Sequence, residues 1–135
     1  MTGAPRRWDL RYGAAAAGVL ALALALRLWG VRSGLPWVYN VDEAQHFVPH
    51  AVSMLGGNLN PGYFGNPAAF TYLLAGMLEV WFGGRDTVNQ LYYSADSSQI
   101  WVLARVASAV LGTLAVWLLY LAGARVGASL SASLP

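Results

Sequence analysis

An all-α membrane protein is the fold class this sequence predicts, with two transmembrane helices flanking an external loop that carries two interfacial amphipathic helices. Three observations predict it. The 135 residues are 57% hydrophobic and only 10% charged, against about 25% charged in a soluble domain, so the chain cannot cover itself with polar surface. Long uncharged runs stand near both ends. Between them lies a stretch, residues 39–67, that holds both histidines and the adjacent acids Asp42 and Glu43, two of only six acids in the chain. The length is that of one domain or part of one. The net charge of +2 comes entirely from scattered arginines, which argues against a nucleic-acid partner. Without cysteine there is neither a disulfide framework nor a thiolate metal site.

The first span is predicted over residues 12–31. Residues 12–26 carry no charge, and Leu28, Trp29, Gly30 and Val31 extend the run past Arg27. About 20 helical residues reach roughly 30 Å, enough to cross the hydrocarbon core. Arg27 near the far end can snorkel to the headgroups, and Trp29 and Trp37 suit the aromatic belt. A cleaved signal peptide is the competing reading, with a basic start and small residues at Ala21, Ala23 and Ala25. The later apolar segments still need a membrane, which favours a retained span. Arg6, Arg7 and Arg11 before the run place the N-terminus in the cytoplasm.

Residues 42–56 read as an amphipathic helix lying along the membrane. Ala44, Phe47, Val48, Ala51, Val52 and Leu55 form one apolar stripe, and Glu43, His46, His50 and Ser53 fall opposite. Asn40 or Asp42 can cap its start, and Gly56, Gly57 and Asn58 end it. Pro49 lacks a backbone donor and should kink or split the helix. Residues 67–82 are a second apolar helix, with Asn66 as cap and Pro67 at the first helical position. At about 16 residues, with Glu79 inside it, this helix suits the interface better than a crossing. Residues 83–99 read as polar loop.

The second span is predicted over residues 101–124, which include 19 uncharged residues at 106–124. Ala104, Ser108 and Gly112 recur every four residues as a small-residue seam for close helix packing, although lipid-facing small residues would give the same pattern. Arg105 at the outer end can snorkel or face an anionic headgroup. Between Arg32 and Gln99 there are two arginines and five acids, so this region is external; Arg125 then wants the cytoplasm, which two spans satisfy. A three-span arrangement is the alternative.

The chemistry is concentrated in the acidic loop. Asp42 and Glu43 can be mere helix-capping acids. Placed at the outer leaflet beside a span, a carboxylate is also where a base for a lipid-linked substrate belongs, and burial there would raise its pKa toward a useful range. Neighbours on a helix point about 100° apart, so only one can be the base. Asp42 is the choice, with Glu43 orienting it or binding the acceptor. His46 and His50 have helical metal-ligand spacing with Glu43 three residues earlier. Pro49 between them distorts that geometry, so the expectation is interfacial histidines and no metal.

In order, the segments at 41–47, 56–61 and 66–73 resemble the N-terminal part of integral-membrane glycosyltransferases. The similar proteins are the protein O-mannosyltransferases and the bacterial aminoarabinose transferases, of the GT-C fold. The resemblance runs from about Tyr12 to Gly127. It implies inverting transfer of a sugar from a polyprenyl-phosphate carrier to an acceptor hydroxyl, with Asp42 as the base and no cofactor. His46, Arg105 and Asn66 would be substrate-binding residues. Many relatives carry a basic residue and two prolines where this chain has Asn66, Pro67 and Ala68, which leaves Arg105 or Arg85 as the substitute cation for the carrier phosphate. Relatives also have more spans, so the expectation is a fragment of a larger enzyme, or a chain whose partner subunit supplies the rest. The expected partners are therefore a lipid-linked sugar donor, membrane lipids and those remaining spans. The rival class is a small non-enzymatic two-span protein that packs into a larger membrane complex. Either way the expected location is the cell membrane, multi-pass, with the acidic loop outside.

Overall fold

The structure, a computed structural model, describes residues 7–133, and the side chains of residues 12–126. Arg6, Arg7 and Arg11, on which the expected orientation rests, and the tail after Val126 lie outside the described side chains. The regular structure of the described residues is all helical, with no strand among them. They form α1 (Arg7–Leu28), a π turn (Glu43–Phe47) that runs into α2 (Val48–Met54), α3 (Ala69–Phe82), α4 (Arg85–Tyr92) and α5 (Ser98–Ser133). The chain divides into two compact units, one drawn from Met1–Gly30 and Ser108–Pro135 and the other made of Val31–Ala107.

In the first unit, α1 stops at Leu28, three residues short of the expected end of the span. Its last regular bond runs from the Trp29 N–H to the Ala25 carbonyl at 2.9 Å, and the Gly30 N–H then closes a tight turn on Leu28. The apolar part of the described helix, Tyr12–Leu28, is 17 residues, or about 25 Å. Arg27 bonds back to its own helix, with Nη1 donating to the Ala23 carbonyl at 3.1 Å. Its guanidinium lies against Gly112 of α5, where a Cβ would stand 3.0 Å from Nε. Gly112 is therefore a close-packing position. Ser108 of the expected seam is exposed. Large apolar side chains also face outward here: Leu22, Leu26, Trp117, Leu118 and Leu119 are all exposed.

Helix α5 contains the apolar segment Ser98–Val126, 29 residues long and only 22% buried over its most apolar window. By length and composition it is the one helix among the described residues able to cross a membrane. The predicted second span at 101–124 falls inside it.

The second unit holds the core. Thr71, Leu74, Ala75 and Leu78 form the buried stripe of α3 at the i, i+3, i+4, i+7 spacing of one helix face. Leu74, Ala75 and Leu78 pack with Val48, Ala51, Val52 and Met54 of α2, Val88 of α4, and Ile100, Trp101, Leu103 and Ala104 of α5. Leu74, Leu78, Ile100, Val48 and Val88 are fully buried, and each such side chain contributes about 1.5–3 kcal/mol by leaving water.

Two expectations for this unit are corrected and one is met. The helix expected over 42–56 is disturbed at Pro49 as expected, because Pro49 cannot donate and its ring would strike the carbonyl four residues back. Widening the preceding turn to a π turn makes room for it. The helix expected over 67–82 begins at Ala69, with Ala68 as its N-cap and no side-chain cap bond, so neither Asn66 nor Pro67 holds the positions assigned to them. Its other end is a glycine cap, in which Gly83 takes a left-handed conformation (φ 77°) and donates to the Glu79 carbonyl at 3.1 Å. The loop expected over 83–99 contains α4. Val88 is buried, and Leu91 and Tyr92 pack at its edge, which is enough apolar contact to make a short polar sequence helical.

Candidate functional site

The site grows from Asn40. Its side-chain oxygen accepts the Asp42 N–H at 3.0 Å, and its carbonyl accepts the Ala44 N–H at 2.9 Å. Asn40 therefore starts the helix, and Asp42 makes no side-chain cap bond. The two adjacent acids consequently have different fates. Glu43 turns inward and accepts a bidentate pair from Arg105 of α5, Nε to Oε1 at 2.7 Å and Nη2 to Oε2 at 2.9 Å. Both side chains of the pair are largely covered, at 22% exposed for Arg105 and 16% for Glu43. Asp42 keeps 71% of its side chain exposed.

Arg105 is occupied on its other side as well. Its Nη1 donates to the carbonyls of Val31 at 2.9 Å and Ser33 at 2.8 Å. Four of five N–H donors are thus taken, and the guanidinium neither snorkels outward nor stands open to an anion. It ties the connection after Gly30 to the first turn of the acidic helix.

His46 stands one turn on from Asp42, with Nε2 3.9 Å from Oδ1. Its ring stacks on Tyr63, centroids 4.5 Å apart and planes within 12°. His50 also stacks on Tyr63, at 5.5 Å and 10°. The same phenol needs Gly65, because a Cβ there would lie 2.5 Å from the Tyr63 hydroxyl. Phe47 of the π turn meets Phe70 of α3 edge to face at 5.3 Å, and the Tyr72 hydroxyl holds the loop to α3 by donating to the Leu59 carbonyl at 2.9 Å. Among the described residues no three His, Asp, Glu or Cys side chains gather as a metal site.

Of the residues singled out in the sequence, Asp42, Glu43 and His46 share one turn, and the fold brings Arg105 to Glu43. Asn66 is half-buried in the loop after Tyr63 and joins none of the hydrogen bonds described. Tyr63 itself was missed. Its only signal was an aromatic pair, Tyr63 and Phe64, set between Pro61-Gly62 and Gly65, and nothing local distinguishes that from an ordinary exposed loop.

The arrangement offers one uncommitted carboxylate with an imidazole beside it, braced by a second carboxylate locked into an arginine fork. Compared with protein-family models, curated proteins and solved structures, the chain matches none.

Proposed function

We propose that this chain is the N-terminal part of a membrane glycosyltransferase that moves a sugar from a polyprenyl-phosphate carrier to an acceptor hydroxyl at the outer membrane face. The observation that carries the reading is the unequal use of the acid pair. Glu43 is consumed by Arg105, while the Asp42 carboxylate is exposed and free of any cap bond. In this reading Asp42 takes the proton of the acceptor hydroxyl. The acceptor oxygen forms the new bond to the anomeric carbon from one face. The bond to the carrier phosphate breaks on the other, and its electron pair leaves with the phosphate. Glu43 and Arg105 are positioning residues, and His46 sits where it can bind the acceptor or tune Asp42. In this reading α1 and the apolar part of α5 are the two spans, and residues 31–107 face the outside. The outward face of α3, with Tyr72, Leu73, Val80 and Trp81 exposed, suits a helix lying in the interface. The remaining spans of the larger enzyme, or a partner subunit, supply the walls around the carrier phosphate.

The test is Asp42→Asn in the assembled enzyme with a lipid-linked sugar donor. Turnover should fall roughly 10²-fold or more, the scale of losing a general base, with expression and carrier binding intact. Near-normal turnover would remove Asp42 from the chemistry. A second reading, a non-enzymatic subunit of a membrane complex, is favoured by the exposed apolar side chains of α5 around Trp117, Leu118 and Leu119. Under that reading the native chain and Asp42→Asn assemble with the complex equally well and no transfer depends on either.

A further inference from the structure

Arg85, the first residue of α4, differs from Arg105 in having all its donors free. Among the described residues its side chain makes no hydrogen bond and no ion pair, although Asp86 follows it in sequence. Its guanidinium lies beside Gly56, where a Cβ would stand 3.7 Å from Cζ and from Nη2. The space it borders is a half-open cleft of about 390 Å³ between α2 and α4, lined by Val52 and Gly56 on one side and by Arg85, Asn89, Tyr92 and Tyr93 on the other. That volume falls within the range of small-ligand sites, about 300–1,000 Å³.

The donor set is one-sided. No carboxylate lines the cleft. Glu79 lies near Gly84, where a Cβ would be 3.7 Å from Oε1, and is not among the lining residues. Its polar lining is a guanidinium fork, a carboxamide, two phenols and the Ser53 hydroxyl, which donates to the His50 carbonyl at 2.8 Å. Burial, with a smaller push from Tyr93, raises the Tyr92 hydroxyl above its usual range, so it stays protonated and able to donate at neutral pH. A planar guanidinium with unspent N–H groups pairs with a tetrahedral oxyanion through two parallel bonds.

We propose that the cleft between α2 and α4 is a phosphate-binding site, in which Arg85 holds the anion and Asn89, Tyr92 and Tyr93 complete its hydrogen bonds. The phosphate is either the headgroup of an anionic membrane lipid or a free phosphate. The site does not depend on the transfer reaction proposed for Asp42, and either can fail without the other.

The test uses the full chain, ¹⁵N-labelled, in neutral maltoside micelles, following the arginine Nε–H and asparagine amide resonances as inorganic phosphate is added. The same spectra are recorded in nanodiscs of phosphatidylcholine with and without phosphatidylglycerol. The expected result is a saturable shift at Arg85 and Asn89. Arg85→Gln should weaken binding about tenfold, the scale of one charge-assisted contact, and Asn89→Leu should weaken it severalfold with the helical circular dichroism unchanged. Saturation by inorganic phosphate in micelles assigns the site to a free phosphate. A response confined to phosphatidylglycerol discs assigns it to a lipid headgroup. Equal, non-saturating shifts at Arg32, Arg85 and Arg125 would overturn the site, as would native affinity in both variants.

Discussion

Glu43 and Arg105 are separated by 62 residues and meet in a fork of two short bonds. Removing either partner leaves the other charge largely covered, and a hydrogen bond to a charged group contributes about 1.5–3 kcal/mol. Glu43→Ala and Arg105→Ala should therefore each destabilise the chain by about 2 kcal/mol. The double variant should cost less than their sum, with a coupling of about 1 kcal/mol or more, read from denaturant unfolding in micelles. Additive losses would show that the fork has no energetic role. Asp42→Asn, at an exposed position, should change stability by under about 0.5 kcal/mol, which separates chemistry from folding. Asp96 gives a pH signature. Ser98, through its side chain and its backbone N–H at 2.9 Å, holds the Asp96 carboxyl below the usual carboxylate range. A carboxyl depressed in the folded state contributes stability above its ordinary pKa and loses it as pH falls through the lowered value. Titration by NMR should place Asp96 below a free aspartate and show its midpoint rising in Ser98→Ala. An unchanged midpoint in that variant would assign the depression to something other than the hydroxyl.

At the scale of elements, α3 has two apolar faces with different destinations. Leu74 and Leu78 are wholly buried in the unit, while Val80 and Trp81 are 85% and 73% exposed. A soluble helix would put polar groups on the second face, and here only Glu79 interrupts it. The interfacial placement proposed for α3 predicts that Trp81, in a variant with no other tryptophan, is quenched by lipids brominated near the headgroup. Lipids brominated near the chain end should quench it much less. Trp101, 5% exposed with its indole N–H donating to Ser97 at 2.9 Å, should be far less sensitive to the shallow label. Stronger quenching of Trp81 by the deep label would mean that α3 crosses the membrane. The neighbouring π turn shows how one residue shapes an element: Pro49 forces the widened turn, and that turn carries Glu43 to Arg105 and His46 to Tyr63.

At the scale of the whole molecule, the proposal of two spans with an external unit makes a topological prediction. A cysteine introduced at Ser133 should react with a membrane-impermeant maleimide only after the cells are opened, and one at Leu59, 69% exposed in the unit of Val31–Ala107, should react in intact cells. Labelling at Ser133 from outside would overturn the proposal, because an N-terminus in the cytoplasm and an external Ser133 require an odd number of crossings between the two.

Hydropathy and turn residues alone were sufficient to locate the apolar part of α5, the helical stretches near 42–56 and 67–82, and the disturbance at Pro49, because each depends on side chains within one or two helical turns of one another. Those same signals misplaced the start of α3, where Asn66 and Pro67 had the right chemistry for a cap and the chain used Ala68 instead. They also missed α4, whose polar sequence becomes a helix only because Val88 has a core to enter. The partition of the acid pair was not legible either. Asp42 and Glu43 are adjacent and chemically alike, and what distinguishes them is an arginine 62 residues away together with the backbone carbonyls of Val31 and Ser33. Tyr63 against His46 and His50, and Arg85 beside Gly56, have the same origin. Local sequence determines which segments coil and which faces are apolar, whereas the pairing of groups distant along the chain is set by how the buried faces pack, and only the tertiary structure holds that information.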